Sequence, residues 1–343
     1  MSNKKRTVGR IVLIVLCVLL SLILVGLIAA YIYMDTMLDK INRYPGQQET
    51  LSSSQIAQIE GETDPVDPTF TGPTLDPEDV TWSTEPVETI DDEDIINILL
   101  IGQDRRAGEG RQRSDAMILC TVNKKTKTLT MTSFLRDLYV QIPGYQDNRI
   151  NAAYQFGGME LLNKTLEQNF GVVVDGNVEV DFTQFEKIVN MLGGVDISLT
   201  AAEAAHLNGL HGYALREGVN HLNGDQALQY SRIRYIGTDF GRTNRQRTVL
   251  AALVNQSKEL NLVEINDLLS QVLGLITTDM SNADILGYLL ELFPILKDIE
   301  IKTQYIPAEG TFQYAQVRGM SVLVPNIEAC RELLAQTILE NVE

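Results

Sequence analysis

IINILLIGQD, Ile95–Asp104, is the stretch that decides the fold. Its first eight residues are apolar apart from Asn97 and end in Gly102. A short continuous apolar run closed by glycine reads as a β-strand buried on both faces. The acid that follows it, Asp104, stands just past a strand end, where functional groups collect in α/β folds. Working outward, AMILCTVN (116–123) and TLTMTSF (128–134) read as two more strands, joined by the polar turn Lys124-Lys125-Thr126-Lys127. FGGMELLNKTLEQNFG (156–171) carries apolar residues at 159, 161, 162 and 166 before a terminal glycine, which predicts a helix. Short strands at Val172–Val174, Val178–Asp181 and Val195–Leu199 flank a helix over Thr183–Leu192 that Gly193-Gly194 stops. Further helices are expected over Asp225–Arg234, Arg242–Asn261, Leu262–Leu275, Ala283–Leu292 and Asn326–Val342, with strands at Glu300–Ile306 and Ala315–Val317. This alternation predicts the α/β class: a single α/β/α sandwich domain over 95–343 around a central, mainly buried β-sheet. No internal repeat and no separate C-terminal domain is visible.

Charge and hydropathy divide what precedes that domain. The 343-residue chain carries a net charge of −17, which argues against nonspecific nucleic-acid binding. Residues 1–10 are basic, with Lys4, Lys5, Arg6 and Arg10 and no acid. Ile11–Met34 holds no charge in 24 residues and, at about 1.5 Å per residue, is long enough to cross a bilayer. Tyr31 and Tyr33 fall where an interfacial aromatic belt would sit. The run is too long for a cleaved signal peptide, so it predicts one transmembrane helix acting as a signal anchor. The basic tail stays cytoplasmic and the rest lies outside the cell. Residues 45–103 hold fourteen acids and no Lys or Arg, with prolines at 45, 65, 68, 73, 77 and 86. Residues 35–94 are therefore expected to form a disordered, acidic Pro/Thr/Ser-rich extracellular stalk. Cys17 lies in the apolar run, and Cys120 and Cys330 are far apart with no metal-ligand spacing. Both read as core positions, although a Cys120–Cys330 disulfide is not excluded.

Against this acidic background, Tyr230–Arg247 (YSRIRYIGTDFGRTNRQR) gathers Arg232, Arg234, Arg242, Arg245 and Arg247 around Asp239. Two residues apart on extended chain, Arg232 and Arg234 share a face. Arg242, Arg245 and Gln246 share a face on a helix. A guanidinium is a planar fork suited to phosphate oxygens, so this is a candidate phosphate or pyrophosphate site. Taken alone, the stretch also fits a solvated helix face with surface ion pairs. Asp115 stands before the second strand with Arg113 two residues away, Arg136 and Asp137 follow the third, and Arg149 lies in NRINAAY. If these strand ends share one sheet edge, Asp104 and Asp115 converge with Arg113, Arg136, Arg232 and Arg234. Two hard carboxylates beside arginines suit Mg²⁺ on a pyrophosphate, with Mn²⁺ able to replace it. His206, His211 and His221 fall in a loop-rich stretch, match no zinc motif and read as structural or solvated. Ser133 has no evident base partner.

The segments NILLIGQDRR, RSDAMILCTVN, SFLRDLYVQIPG, RINAAYQFGG, MLGGVDI, LNGDQALQYSRIRY and DFGRTNRQR, spread over about 95–255, resemble the LytR–CpsA–Psr family of bacterial envelope proteins in content and order. The resemblance implies a Gram-positive envelope enzyme that takes a glycopolymer from a polyprenyl-pyrophosphate carrier. It transfers the glycopolymer phosphate, as teichoic acid, capsule or another wall polysaccharide, to a peptidoglycan hydroxyl. By position in the matching segments, Asp104 and Asp115 would hold Mg²⁺. Arg113, Arg136, Arg232, Arg234, Arg242 and Gln246 would grip the pyrophosphate, with Arg149 and Asp239 close by. Asp104 or Asp239 would serve as base. An apolar tunnel for the lipid is implied between sheet and helices, near Met159–Leu166 and Phe185–Leu192. Two departures are Leu135, where the family usually has proline, and Arg149, where it often has lysine. Two other readings share these residues: a phosphatase of the same carrier, and a non-catalytic envelope-sensing regulator.

Overall fold

The computed structural model describes residues 24–26, 28–46, 51–65, 70–83, 87–90, 92–103, 111–234, 236 and 239–339. Asp104 and most of the apolar N-terminal run lie outside them. Residues 28–38 are helical, and no described helix is long and apolar enough to cross a membrane.

Among the described residues the main sheet has seven strands. They run in the order β1 (Asn42–Arg43), β11 (Thr277–Thr278), β8 (Gly176–Asp181), β3 (Ile95–Gln103), β4 (Ser114–Asn123), β5 (Thr128–Phe134) and β12 (Glu300–Ile306). β4 is antiparallel to both β3 and β5, while β8 joins β3 and β12 joins β5 in parallel. Both faces are covered, as the unbroken apolar strands require. On one face Leu99, Met117 and Leu119 pack against α2 (Ile150–Phe170) and α9 (Ile327–Leu339). On the other, Ile118, Val122 and Met131 pack against Leu250, Ala251 and Val254 of α6 (Asp239–Ser257). The two-residue strand period thus sends Met117 and Leu119 one way and Ile118, Cys120 and Val122 the other. Cys120 and Cys330 consequently belong to opposite faces and are free thiols. Burial pushes them up, to about 12 and about 11 respectively.

Beside the α6 face, α3 (Phe182–Met191), α4 (Ala201–His211), α5 (Gly224–Ser231) and the ribbon β9 (Val195–Leu199)–β10 (Gly218–Leu222) enclose a second core around Val189, Ile197, Leu207 and Tyr230. A three-stranded sheet of β14 (Met320–Pro325), β13 (Phe312–Val317) and β2 (Thr74–Leu75) packs on the far side. The short pair β6 (Tyr139–Val140) and β7 (Asn148–Arg149) bridges it to α2. α7 (Leu262–Val272) and α8 (Asn282–Leu292) pack on Met37, Leu38 and Ile41, which lead into β1.

Five expectations change. Over its described residues, the segment read as a disordered stalk is folded onto the domain. Ser52 and Gln55 form a capping box that starts α1 (Ser53–Glu60), whose Ile59 is buried. Val80 and Ile90 are buried too, and Trp82 stacks on Tyr139 while its indole N–H donates to Asp147 at 2.8 Å. The prolines break helices here without preventing packing. The 201–222 stretch is likewise a helix and a strand rather than loop, because Thr200 and Glu203 cap α4 reciprocally. α2 begins six residues earlier than its apolar period implied, running through a kink at Gly158, whose φ is +65°. A Cβ there would lie 1.6 Å from the Tyr44 hydroxyl, so only glycine fits. Val172–Val174 is no strand beyond a single bridge from Val172 to Ile90, and the C-terminal hairpin β13–β14 is longer than the run at 315–317 suggested.

Candidate active site

Because β4 runs against its neighbours, the end of β3, the start of β4 and the end of β5 meet at one sheet edge. Asp115 opens β4 there, and Arg136 and Asp137 form the turn after β5. α6 begins at the same edge with Asp239 and Arg242, and α3 begins there with Phe182. Of the described members, Asp115, Arg136, Arg232 and Arg234 share this edge, whereas Arg113 turns to Glu62 and Gln155.

Arg136 is the hub. Its Nη1 donates to Asp115 Oδ1 at 3.0 Å, and its Nε lies 3.4 Å from Asp137 Oδ2 and 3.7 Å from Asp239 Oδ2. Burial works against the Arg136 charge, but the Asp137, Asp239 and Asp115 carboxylates outweigh it and hold its pKa above the usual value. Asp137 is pushed up, first by burial and despite Arg136 and Arg149. Arg242, 3% exposed, donates from Nη2 to Asp239 at 2.9 Å. Its Nε and Nη1 are buried with no hydrogen-bond partner among the described residues, and burial lowers its pKa. Leaving such donors unmatched is costly, so an anion is the natural complement.

Arg242 lines a cleft of about 40 Å³ together with Asp115, Arg232, Arg234 and Gln246. The Arg232 guanidinium lies 4.5 Å from the centroid of the Phe182 ring. Gly102, Ala116, Phe182, Ser231 and Gln246 also border an adjoining cavity of about 140 Å³, which Leu100, Ile118, Val180, Phe185, Leu228, Val249 and Leu250 make apolar. A cationic mouth thus opens onto an oily chamber between the sheet and α3, α5 and α6. Of the two segments named for a tunnel, Phe185 contributes, whereas Met159–Leu166 belongs to the core on the opposite face of the sheet.

The remaining sequence candidates stand behind this mouth. Arg113 bridges Glu62 at 2.6 Å and Gln155 at 3.2 Å. Arg149 is buried, tied to Asp64 and the Ser321 carbonyl, and 3.5 Å from Asp137. Burial raises Asp64, but the Ser321 N–H and Arg149 outweigh it and bring it below the usual carboxylate range. Arg245, expected on one face with Arg242 and Gln246, instead turns inward to Glu203 at 3.3 Å and the Ile233 carbonyl at 2.7 Å. Arg247 donates to Ser133 Oγ at 2.7 Å, and burial pushes it down to about 10. His221 sits 2.7 Å from both Asp196 Oδ1 and the Gly193 carbonyl, in a structural role. Glu62, Asp64, Gln155 and Phe182 escaped the sequence reading; the two acids sat in a stretch taken for linker, although the SSSQ helix-start signal lay just upstream.

Among the described residues no group of three or more His, Cys, Asp or Glu could hold a metal unaided. Among the described residues Asp115 alone puts a carboxylate into the cleft. That donor set fits a Mg²⁺ taking its other ligands from phosphate and water, and does not fit a closed protein cage.

The sequence model of the LytR_cpsA_psr family matches residues 50–338. The chain is 34% identical over 215 residues, 60% of its length, to the polyisoprenyl-teichoic acid–peptidoglycan teichoic acid transferase TagT of Bacillus subtilis, covering 66% of that protein. It is 32% identical over 222 residues, 64% of its length, to the regulatory protein MsrR of Staphylococcus aureus, again covering 66%. The matches thus span just under two thirds of these relatives' own length. A solved structure of the family protein YwtF (TagT) with bound octaprenyl pyrophosphate lipid superposes with a TM-score of 0.54 at 28% identity, covering 75% of this chain and 95% of that one.

Proposed function

The chain belongs to the LytR–CpsA–Psr family, and from that premise we propose that it is a phosphotransferase moving a glycopolymer phosphate from a polyprenyl-pyrophosphate carrier onto a peptidoglycan hydroxyl. The observation that carries this reading is the buried Arg242, with two unmatched donors at the mouth of an apolar cavity. A prenyl pyrophosphate is the ligand class with one anionic end and one oily end. TagT is named for teichoic acid transfer and YwtF (TagT) is solved with such a lipid, which supports the assignment.

The chemistry needs little covalent participation from protein, because phosphoryl transfer is governed by positioning and charge neutralisation. The lipid occupies the cavity under Ala116 and Phe185. Arg242, Arg232 and Arg234 hold the two phosphates, and Gln246 fixes their depth at the neck. Arg136, set by Asp115, Asp137 and Asp239, faces the phosphate that carries the glycopolymer. The acceptor hydroxyl attacks that phosphorus, its bond to the bridging oxygen breaks, and lipid phosphate departs. Asp239 aligns the hydroxyl by accepting its hydrogen bond and takes its proton as the new O–P bond forms. Asp115, with Asp104 as the second carboxylate the family resemblance implies, would hold a Mg²⁺ ion, which would add neutralisation of the developing charge. Arg113 and Arg149 act from behind, by holding Asp137 and the 62–64 segment in place. The apolar run Ile11–Met34 anchors the chain in the membrane as a single pass, with the basic tail inside and the catalytic domain outside.

The test uses the full chain in detergent with synthetic lipid-linked saccharide, glycan oligomers and Mg²⁺, followed by mass spectrometry. Linked product made by wild type and lost in Arg242→Gln and Asp115→Asn supports transfer. Lipid phosphate released without linked product would replace the reading by a phosphatase. Ligand binding with no turnover would replace it by a sensor.

A further inference from the structure

Beyond Asp239, on the side away from the lipid cavity, the chain lays out a row of aromatic rings. Phe240 follows Asp239 in the first turn of α6, and its centroid lies 5.0 Å from Tyr305 and 5.4 Å from Phe312. Phe312 is 5.3 Å from Tyr314, which is 50% exposed. Phe312, Tyr314 and Gln316 alternate along β13, so they share one face, while Ala315 and Val317 point into the core behind. The Arg247 guanidinium sits 5.7 Å from the Tyr305 centroid, on α6, the helix that carries Arg242. Tyr314 is also close enough to Asp239 to feel its charge. Ring-on-ring packing accounts for Tyr305 and Phe240, both half-buried. It does not account for a tyrosine half exposed at the end of the row, beside the carboxylate that faces the reacting centre.

We infer that the Phe240–Phe312–Tyr314 row is the subsite for the acceptor glycan, stacking a pyranose ring so that its hydroxyl reaches the phosphorus beside Asp239. This rests on the transfer reading and extends it to the second substrate. The apolar C–H face of a sugar ring meets the electron-rich face of an aromatic side chain, and an adjacent amide such as Gln316 suits its hydroxyl and acetamido groups. The choice of acceptor over donor follows from direction. In an in-line displacement the nucleophile enters opposite the leaving group. The leaving lipid phosphate points toward the cavity bordered by β3, β4 and β8, and the row, on α6 and β13, packs through Phe240 on Tyr305 of β12, the strand at the other end of the main sheet.

The test measures both substrates on the full chain in detergent, with an uncrosslinked peptidoglycan tetrasaccharide as acceptor and a lipid-linked saccharide as donor. Tyr314→Ala is expected to raise the acceptor KM about tenfold while the donor KM moves by less than about twofold, and Tyr314→Phe to restore most of it. Phe312→Leu, which keeps an apolar side chain there, is expected to act in the same direction. Saturation-transfer NMR of the tetrasaccharide without donor is the independent arm, with the signal lost in Tyr314→Ala. That loss in a protein making no linked product would retain the glycan surface and reject transfer. An unchanged acceptor KM in both variants would reject the surface. A rise in donor KM instead would assign the row to the donor and overturn the inference.

Discussion

Replacing Ala116 with leucine should separate the two halves of the ligand. Ala116 borders both the arginine-lined cleft and the apolar cavity behind it, where its methyl is one wall of the neck. The cavity is about 140 Å³. Burying one five-carbon isoprene unit there is worth roughly 4 kcal/mol, at about 0.8 kcal/mol per carbon. A leucine brings three extra carbons into the same space and should forfeit about half of that, roughly 2 kcal/mol or thirtyfold in affinity. Because the added carbons fill an apolar void, the protein should melt within a few degrees of wild type. Titration calorimetry with a fifteen-carbon prenyl pyrophosphate and with inorganic pyrophosphate gives the readout. Prenyl pyrophosphate should weaken by about thirtyfold and inorganic pyrophosphate should hold within about twofold. Equal losses for both ligands, or no loss for the prenyl one, would refute the placement of the tail.

Arg242→Gln should show the reverse pattern, weakening both pyrophosphates by about ten- to a hundredfold, because charge-assisted hydrogen bonds to the phosphates are lost whatever the tail; an effect on the lipid alone would contradict it. Asp64→Asn probes the support behind the site. The Asp64 carboxylate sits below its ordinary pKa of 3.8 in the folded state, so its stabilisation is present above that value and is lost as pH falls through the folded pKa. Unfolding free energies of wild type and variant from urea titration should therefore differ by a constant amount, about 1 kcal/mol after solvent screening, at pH 6–7 and converge as the pH drops below 4; a gap that persists at pH 2 would point to packing instead. Finally, a fragment starting at residue 95 discards Ile59, Val80 and Ile90, all at least 92% buried. It should lose roughly 5 kcal/mol and melt about 10–20 °C below one starting at residue 51; equal melting temperatures would return residues 51–94 to the status of a spacer.

That last prediction marks where the sequence misled. The strands at 95–103, 114–123 and 128–134 were legible because they are long, apolar and bounded by turn residues, while the edge they share was a condition of the reading that their antiparallel pairing meets. Asp115, Arg136 and Arg242 stood out because arginines and strand-end acids are conspicuous in a chain of net charge −17, and Gln246 because helical spacing puts it on the face of Arg242. Glu62 and Asp64 did not, since an acid two residues past a short helix looks like any other acid in a proline-rich tract. Their role appears only when tertiary structure sets them against Arg113 and Arg149. Arg245 failed for a different reason. Helical spacing puts it next to Arg242, but Glu203, fixed by its own capping box on α4, draws it inward. Spacing gives the face, and the partner decides which cation of that face is available.

The arginines thus divide by what satisfies them. Arg149 and Arg245 have carboxylates and backbone carbonyls for partners, and Arg113 has Glu62 and Gln155. A buried cation matched in this way adds structure without adding affinity for an outside anion. Arg136 has more carboxylate around it than one charge needs, which pins its guanidinium at a fixed place on the sheet edge. Arg242 has too few partners, and the deficit faces the cleft. Moving a neutralising acid next to Arg242 would relieve that strain and remove the function with it. A variant that supplies one, such as Ala116→Asp at the neck, should gain nothing from pyrophosphate in a thermal-shift assay, whereas wild type is stabilised by RT ln(1 + [L]/Kd). Equal stabilisation of both proteins would mean that the unmatched donors of Arg242 are not what the anion binds.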